Sequence, residues 1–332
     1  MSQKCKTEAV QIHKIELPTH FAVGPVNSFV LIEGRERILV DCGPKLDITK
    51  KALLEGLHRI QLSVEDITGV VLTHGHVDHV GLTSMFQKRN IPIYGLPSVS
   101  SWLDKDSPGE HYRCAFLQTY YPKMGMPSSF IEKAFKEYFY YQEMNDRSVV
   151  DAALIPGEQF APLPMFKILH VPGHAQAAIA LWCEESGQLI IGDQLLPHIS
   201  SNALIEPIPG ARSGAEAKRT KSLIQYRENM KLLKKLPIQV VYPGHGEIFT
   251  HAHDLIEQRL AEQVKRRDKL LRLLTEKGHA TAFELACLYF PNHLDQGSLI
   301  LSETLGHLDW LEEEGLAVSQ TTSDGLVMWR AG

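Results

Sequence analysis

The chain has 332 residues, 44% of them hydrophobic and 22% charged, with a formal net charge of −5. That is enough for one large domain and a small one with a sizeable core, and the acidic balance argues against a general nucleic-acid binder. Cys5, Cys42, Cys114, Cys183 and Cys287 are odd in number and widely spaced, which argues against a disulfide framework and for a reducing cytoplasm.

The first residues carry Lys4, Lys6 and Glu8 with no apolar stretch behind them, so they do not read as a secretory signal. No run approaches the roughly 20 apolar residues of a bilayer span. Phe29–Ile32 and Arg37–Val40 read as strands flanking the turn Glu33-Gly34-Arg35-Glu36. Ile48 to Ile60 has helical spacing of Ile48, Ala52, Leu53 and Leu57. Gly69–Leu72 is a short buried strand ending at His74, and Ile91–Tyr94 is the next strand. Phe166–Val171, Ile179–Cys183, Gln188–Ile191 and Ile238–Tyr242 follow as strands. Strands alternating with helices, then a run of strands, predict a layered α/β architecture.

Two segments stand outside that core. Residues 98–151 are rich in aromatics and methionine, with a helix over Ser129–Met144. The first expectation is a helical insertion whose aromatics are core; the sharper one is a lid or wall over a site, since aromatics and methionines suit apolar pockets. From Ala252 onward, helices are predicted over Asp254–Thr275, Thr281–Phe290 and Ser298–Glu314. A hairpin follows, built from Leu316–Ser319 and Leu326–Trp329. Three helices and a hairpin make a winged-helix pattern, which divides the chain into residues 1–251 and 252–332. The third helix carries Glu303, Asp309, Glu312, Glu313 and Glu314 and no Lys or Arg. Phosphate contacts need those cations. The tail therefore reads as structural or as a homodimer contact, with one face bordering the active site.

The chemistry lies in Thr73-His74-Gly75-His76-Val77-Asp78-His79, then His174 in Pro-Gly-His, Asp193 in Ile-Gly-Asp and His245 in Pro-Gly-His-Gly. Seven donors are too many for one ion and suit two. His74 and His76, two apart in an extended segment, point the same way and can reach one ion. Asp78 and His79 can turn to a second. Imidazole and carboxylate suit zinc, with iron or manganese as alternatives. The remaining donors follow short apolar runs, on loops where a rigid sheet can gather them. His170, His198, His251 and His253 read as structural or solvated. Glu206 to Gly210 reads as a surface loop, with a pocket edge as the alternative.

These motifs, in this order, resemble the metallo-β-lactamase superfamily over about Ile12–Phe249. The resemblance implies an αββα sandwich with a metal site along one edge. It implies His74, His76 and His174 on the first metal, Asp78, His79 and His245 on the second, and Asp193 bridging. Asn27–Ile32 and Val40–Gly43 are similar to the family's opening hairpin, with Asp41 behind the ligands, orienting a histidine. The tail resembles the lactamase-β-like protein 2 branch. Glyoxalase II-type enzymes share the metal core with a different tail. The aromatic insertion is longer than expected in either.

The leading functional expectation is a two-zinc hydrolase of a thioester, ester or lactone with a small acyl substrate. A hydroxide shared by the metals is its nucleophile, and Asp78 and Asp193 are its catalytic carboxylates. The runner-up is an endoribonuclease acting on single-stranded RNA. Against it stand thirteen acidic and eight basic residues from Ala252 onward, although a basic track near Lys218, Arg219 and Lys221 would serve it. An iron-dependent sulfur dioxygenase is a third reading; one iron needs fewer protein ligands than are present. No Gly-x-Ser-x-Gly, Walker or dinucleotide-binding pattern occurs.

Overall fold

The computed structural model describes residues 10–208 and 218–332. Cys5 and the start of the chain lie outside the described residues, as do Pro209 and Gly210.

The first sheet begins with β1 (Gln11–Leu17), β2 (Val26–Glu33) and β3 (Glu36–Val40), an antiparallel meander. It continues in parallel through β4 (Gly69–Val71), β5 (Ile93–Gly95) and the short β6 (Ala152–Ala153). Helix α1 (Asp47–Arg59) covers it through Leu53 and Leu57. Two short helices, α2 (Val77–Val80) and α3 (Thr83–Gln87), follow β4.

The second sheet is built from β7 (Phe166–His170), β8 (Ile179–Cys183) and β9 (Gln188–Gly192), antiparallel to one another. Strand β10 (Val240–Pro243) joins β9 in parallel. Side chains of β8 alternate, as the period of a strand requires. Ile179, Leu181 and Cys183 enter the core shared with the first sheet. Ala180 and Trp182 enter a second core with Leu223, Tyr226, Met230 and Leu233 of α7 (Ser222–Leu233). Helix, sheet, sheet and helix stack in that order, the αββα sandwich expected from the motifs.

The insertion forms α4 (Ser100–Leu103), α5 (Pro108–Lys123) and α6 (Ser128–Gln142). The tail forms α8 (Ala252–Lys277), β11 (His279–Thr281), α9 (Ala282–Tyr289), α10 (Gly297–Glu313), β12 (Ala317–Thr321) and β13 (Val327–Ala331). Strands β11 and β12 both pair with β13. The insertion and the tail share one core. Phe116, Leu117, Tyr121, Met124 and Met126 pack with Leu274, Phe283, Leu301 and Leu305. Phe139 and Tyr140, farther along α6, stay exposed.

Helix α10 lies inside this assembly, with eleven of its 17 residues buried. At Gly306 it comes so close to α7 that an added Cβ would stand 2.6 Å from Leu223 Cβ. Its acids point to partners: Glu303 to Arg266, Asp309 to Arg219, Glu313 to Lys221. Among the described residues no helix is long and apolar enough to cross a membrane.

Candidate metal centre

All seven sequence-predicted ligands meet at the strand ends. β4 leads into His74 and His76. Asp78 and His79 sit on α2. Asp193 follows β9 directly, His245 follows β10, and His174 lies on the loop between β7 and β8. The donors fall into three overlapping groups: His74, His76 and His174; Asp78, His79 and His245; and His74, His79 and Asp193.

His76 Nδ1 lies 3.0 Å from His74 Nε2 and 3.0 Å from His174 Nε2. His245 Nε2 lies 3.4 Å from Asp78 Oδ2 and 3.4 Å from Asp193 Oδ2. Asp193 also reaches His79 Nε2 at 3.3 Å and His174 Nε2 at 3.7 Å, so it touches donors of both clusters. Tetrahedral ligands at zinc-like bond lengths stand about 3.3 Å apart. The separations match.

The other ring nitrogens decide which atom is left for a cation. His79 Nδ1–H donates to Asp41 Oδ2 at 2.7 Å. His245 Nδ1–H donates to the Pro25 carbonyl at 2.7 Å. His174 Nδ1–H donates to the Asn202 carbonyl at 2.9 Å. The Thr73 hydroxyl is committed to Asp41 Oδ2 at 2.7 Å, so His74 Nδ1–H donates to Thr73 Oγ1 at 3.0 Å. Each assignment turns an Nε2 lone pair inward. His79 Nε2, His245 Nε2 and Asp193 Oδ1 are buried with no hydrogen-bond partner. Buried polar atoms without partners are costly, and these three, spread over two adjoining donor groups, fit cations.

Electrostatics agree. Burial drives the His74 imidazole well down, and His76 to about 3. At His79 and His245 burial pulls the same way but is outweighed. Asp193, Asp41 and Asp78 raise His79 well above its ordinary value, and Asp193 and Asp78 raise His245 to about 10. Burial opposes charge on Asp78 and Asp193, yet His79 and His245 hold both carboxyls below their usual range. The cage demands positive charge beside its carboxylates.

Several supports have little sequence signature. Gly244 leaves room for the cage: a Cβ there would collide with Asp193 Oδ1 and stand 2.9 Å from His79 Cε1. Asn27 Nδ2 donates to the carbonyls of Pro243 (2.9 Å) and Gly246 (2.8 Å), clamping the His245 loop. The Trp102 ring stands edge-to-face on His76 at 5.3 Å; in the sequence it was one aromatic among many in the insertion. Asn202 Nδ2 donates to the Leu299 carbonyl of α10 at 3.1 Å, so the tail braces the loop behind His174.

Asp41 holds three groups at once: His79, the Thr73 hydroxyl and the Thr73 N–H, the last at 2.8 Å. Its backbone adopts φ 57° to do so. Asp41→Asn is expected to weaken metal affinity by about 10- to 100-fold. Chelator competition measures it, and an unchanged affinity removes Asp41 from the site.

Comparison with known proteins agrees with this geometry. Residues 22–245 match the Metallo-beta-lactamase superfamily. The chain is 33% identical to the probable metallo-hydrolase YqjP of Bacillus subtilis over 305 residues, covering 90% of this chain and 92% of that protein. It is 23% identical to the beta-lactamase-like protein 2 homolog of Caenorhabditis elegans, covering 81% of this chain and 72% of that one. It is 20% identical to an atrochrysone carboxyl ACP thioesterase of Aspergillus fumigatus, covering 77% of this chain and 62% of that one. A metallo-beta-lactamase family protein of Thermus thermophilus has the same fold, with TM-score 0.76, 24% identity and coverage of 97% of this chain and 98% of that one. Motif order, sandwich and relatives converge: the chain is a metallo-hydrolase and belongs to the metallo-beta-lactamase superfamily.

Proposed function

We propose that the protein is a dinuclear hydrolase of a thioester, ester or lactone. In this reading His74, His76 and His174 hold one ion, Asp78, His79 and His245 hold the other, and Asp193 lies between. The carrying observation is the set of buried, unpartnered donor atoms on His79, His245 and Asp193. The donors are nitrogen and oxygen with no thiolate, a set that suits zinc and also iron or manganese. Two such ions supply an attacking water of lowered pKa and a Lewis acid for the carbonyl oxygen. The protein's own part is orientation. Asp41 and the carbonyls of Pro25 and Asn202 fix the imidazoles, Asp78 and Asp193 face the reacting region as carboxylate acceptors, and Trp102 packs edge-on against His76.

An acyl substrate is favoured by the fungal relative named as a thioesterase and by the aromatic wall that Trp102 contributes. Single-stranded RNA is disfavoured by the proposed basic track. Arg219, 15% exposed, is held by Asp309 and Lys221 pairs with Glu313, which leaves exposed Lys218 as the one member of the track outside an ion pair among the described residues. The tail is read as a winged-helix-like unit with a structural role, since α10 is too buried to enter a groove. Among the described residues Cys42, Cys114, Cys183 and Cys287 are unpaired, which fits a cytoplasmic setting.

The test is thiol release from a panel of acyl thioesters by metal-loaded protein, with chelator-stripped protein as control. Expected is metal-dependent turnover with kcat/KM of about 10⁴ M⁻¹s⁻¹ or more. Absence of thiol release from protein holding two metals per chain would sink the acyl reading and bring RNA cleavage forward.

A further inference from the structure

Beside the cage lies a cavity of about 200 Å³, walled in part by Trp102, Tyr112, Arg113, Gln176, Glu206 and Pro207. Two walls connect it to the ligands. Trp102 leans on His76, and Gln176 lies two residues beyond His174. Clefts that take a whole drug-sized ligand run to about 300–1,000 Å³, so this one suits a single substituent of a substrate.

The charges in the wall are not equivalent. Arg113 is occupied: it pairs with Glu110, donates to Ser101 Oγ at 3.0 Å and stacks on Trp102 at 3.4 Å. Glu206 is buried at 7% exposure. Its Oε1 accepts the Gln176 N–H at 2.8 Å. Among the described residues its other oxygen has no hydrogen bond and the carboxylate has no salt-bridge partner. Burial raises its pKa against the opposing pull of Arg113, so a cationic partner would relieve it. The Tyr112 hydroxyl in the same wall is also buried without a partner. An unmet carboxylate oxygen and an unmet hydroxyl in one wall together describe a receptor for an ammonium group.

We propose that this cavity is the recognition pocket of the hydrolase and that Glu206 selects substrates carrying an ammonium group near the scissile bond. The identity of that bond rests on the acyl-hydrolase reading above; the pocket does not.

Two measurements separate them. The first compares matched thioesters whose acyl chain or thiol ends in ammonium, methyl or carboxylate, using wild type and Glu206→Gln. Wild type is expected to prefer the ammonium substrate over the methyl one by about tenfold or more in kcat/KM, and the ratio should fall to near one in Glu206→Gln. The second follows quenching of Trp102 fluorescence by butylammonium against butanol, with Trp102→Phe assigning the signal and Glu206→Gln testing it. Turnover without ammonium preference in wild type overturns the pocket and leaves the acyl-hydrolase reading standing. Glu206-dependent butylammonium binding without any turnover does the reverse. Neither turnover nor binding overturns both. The wild-type panel decides even if the variant fails to fold.

Discussion

Asp193→Asn is expected to lower thioester kcat/KM about a thousandfold, with metal content below two per chain and far-UV circular dichroism unchanged. Asp193 is where the two donor clusters meet: its oxygens lie 3.3 Å from His79, 3.4 Å from His245 and 3.7 Å from His174. The amide keeps the shape and one oxygen. It removes the negative charge, and it turns an NH2 toward a ring nitrogen or toward a cation. Stabilisation of transition-state charge by a bound metal amounts to several kcal/mol, and about 4 kcal/mol is a thousandfold. Metal analysis and kinetics on the same preparation read the effect. A variant holding two metals and working within about threefold of wild type would remove Asp193 from the bridging position.

Asp309→Ala is expected to destabilise the fold by about 3 kcal/mol, the low end for a broken buried pair, because it strands a guanidinium that is only 15% exposed. Arg219 donates to both Asp309 oxygens and to the Tyr120 hydroxyl. Burial opposes its charge, and Asp309 and Tyr120 overcome that and hold it charged. The triad joins the segment before α7 to α10 and to α5 of the insertion. Replacing both partners, as Arg219→Met with Asp309→Leu, is expected to recover most of the loss. Urea titration of the single and double variants reads the difference. A single variant within about 1 kcal/mol of wild type would mean that water reaches the arginine.

The seven converging side chains were legible because four of them stand within six residues and the others sit in short glycine motifs after apolar runs. What orients them was only partly so. Asp41 was visible through the opening hairpin, but Pro25 and Asn202 act through backbone carbonyls, and a carbonyl leaves no trace in residue identity. Gly244 works by an absent atom, beside a histidine that drew the attention. Helix α7 went unread although Leu223, Tyr226, Met230 and Leu233 repeat at helical spacing, because Arg227 and Asn229 interrupt the apolar face yet are buried. Strand β1 was missed because only Ile15 and Leu17 are fully buried among polar neighbours. The tail's helices were read to within about two residues, since caps, Pro291 and Gly315 mark their ends. That the insertion's aromatics belong to the tail's core required the fold, as Phe116 and Leu305 share one core although they stand nearly two hundred positions apart in sequence.

That long-range core bears on the order in which the molecule is made. A ribosome delivers all seven candidate donors by His245, so they emerge before α8, α9 and α10 exist. Phe116, Tyr121 and Met124 have by then been waiting without their partners, because Leu274, Phe283 and Leu305 are still to come. Nascent chains halted before α8 therefore expose the apolar side chains of α5 that the later helices cover. Only when α10 arrives does the Asn202 loop behind His174 gain the Leu299 carbonyl as its brace, so the cage is expected to be backed later than its own residues emerge.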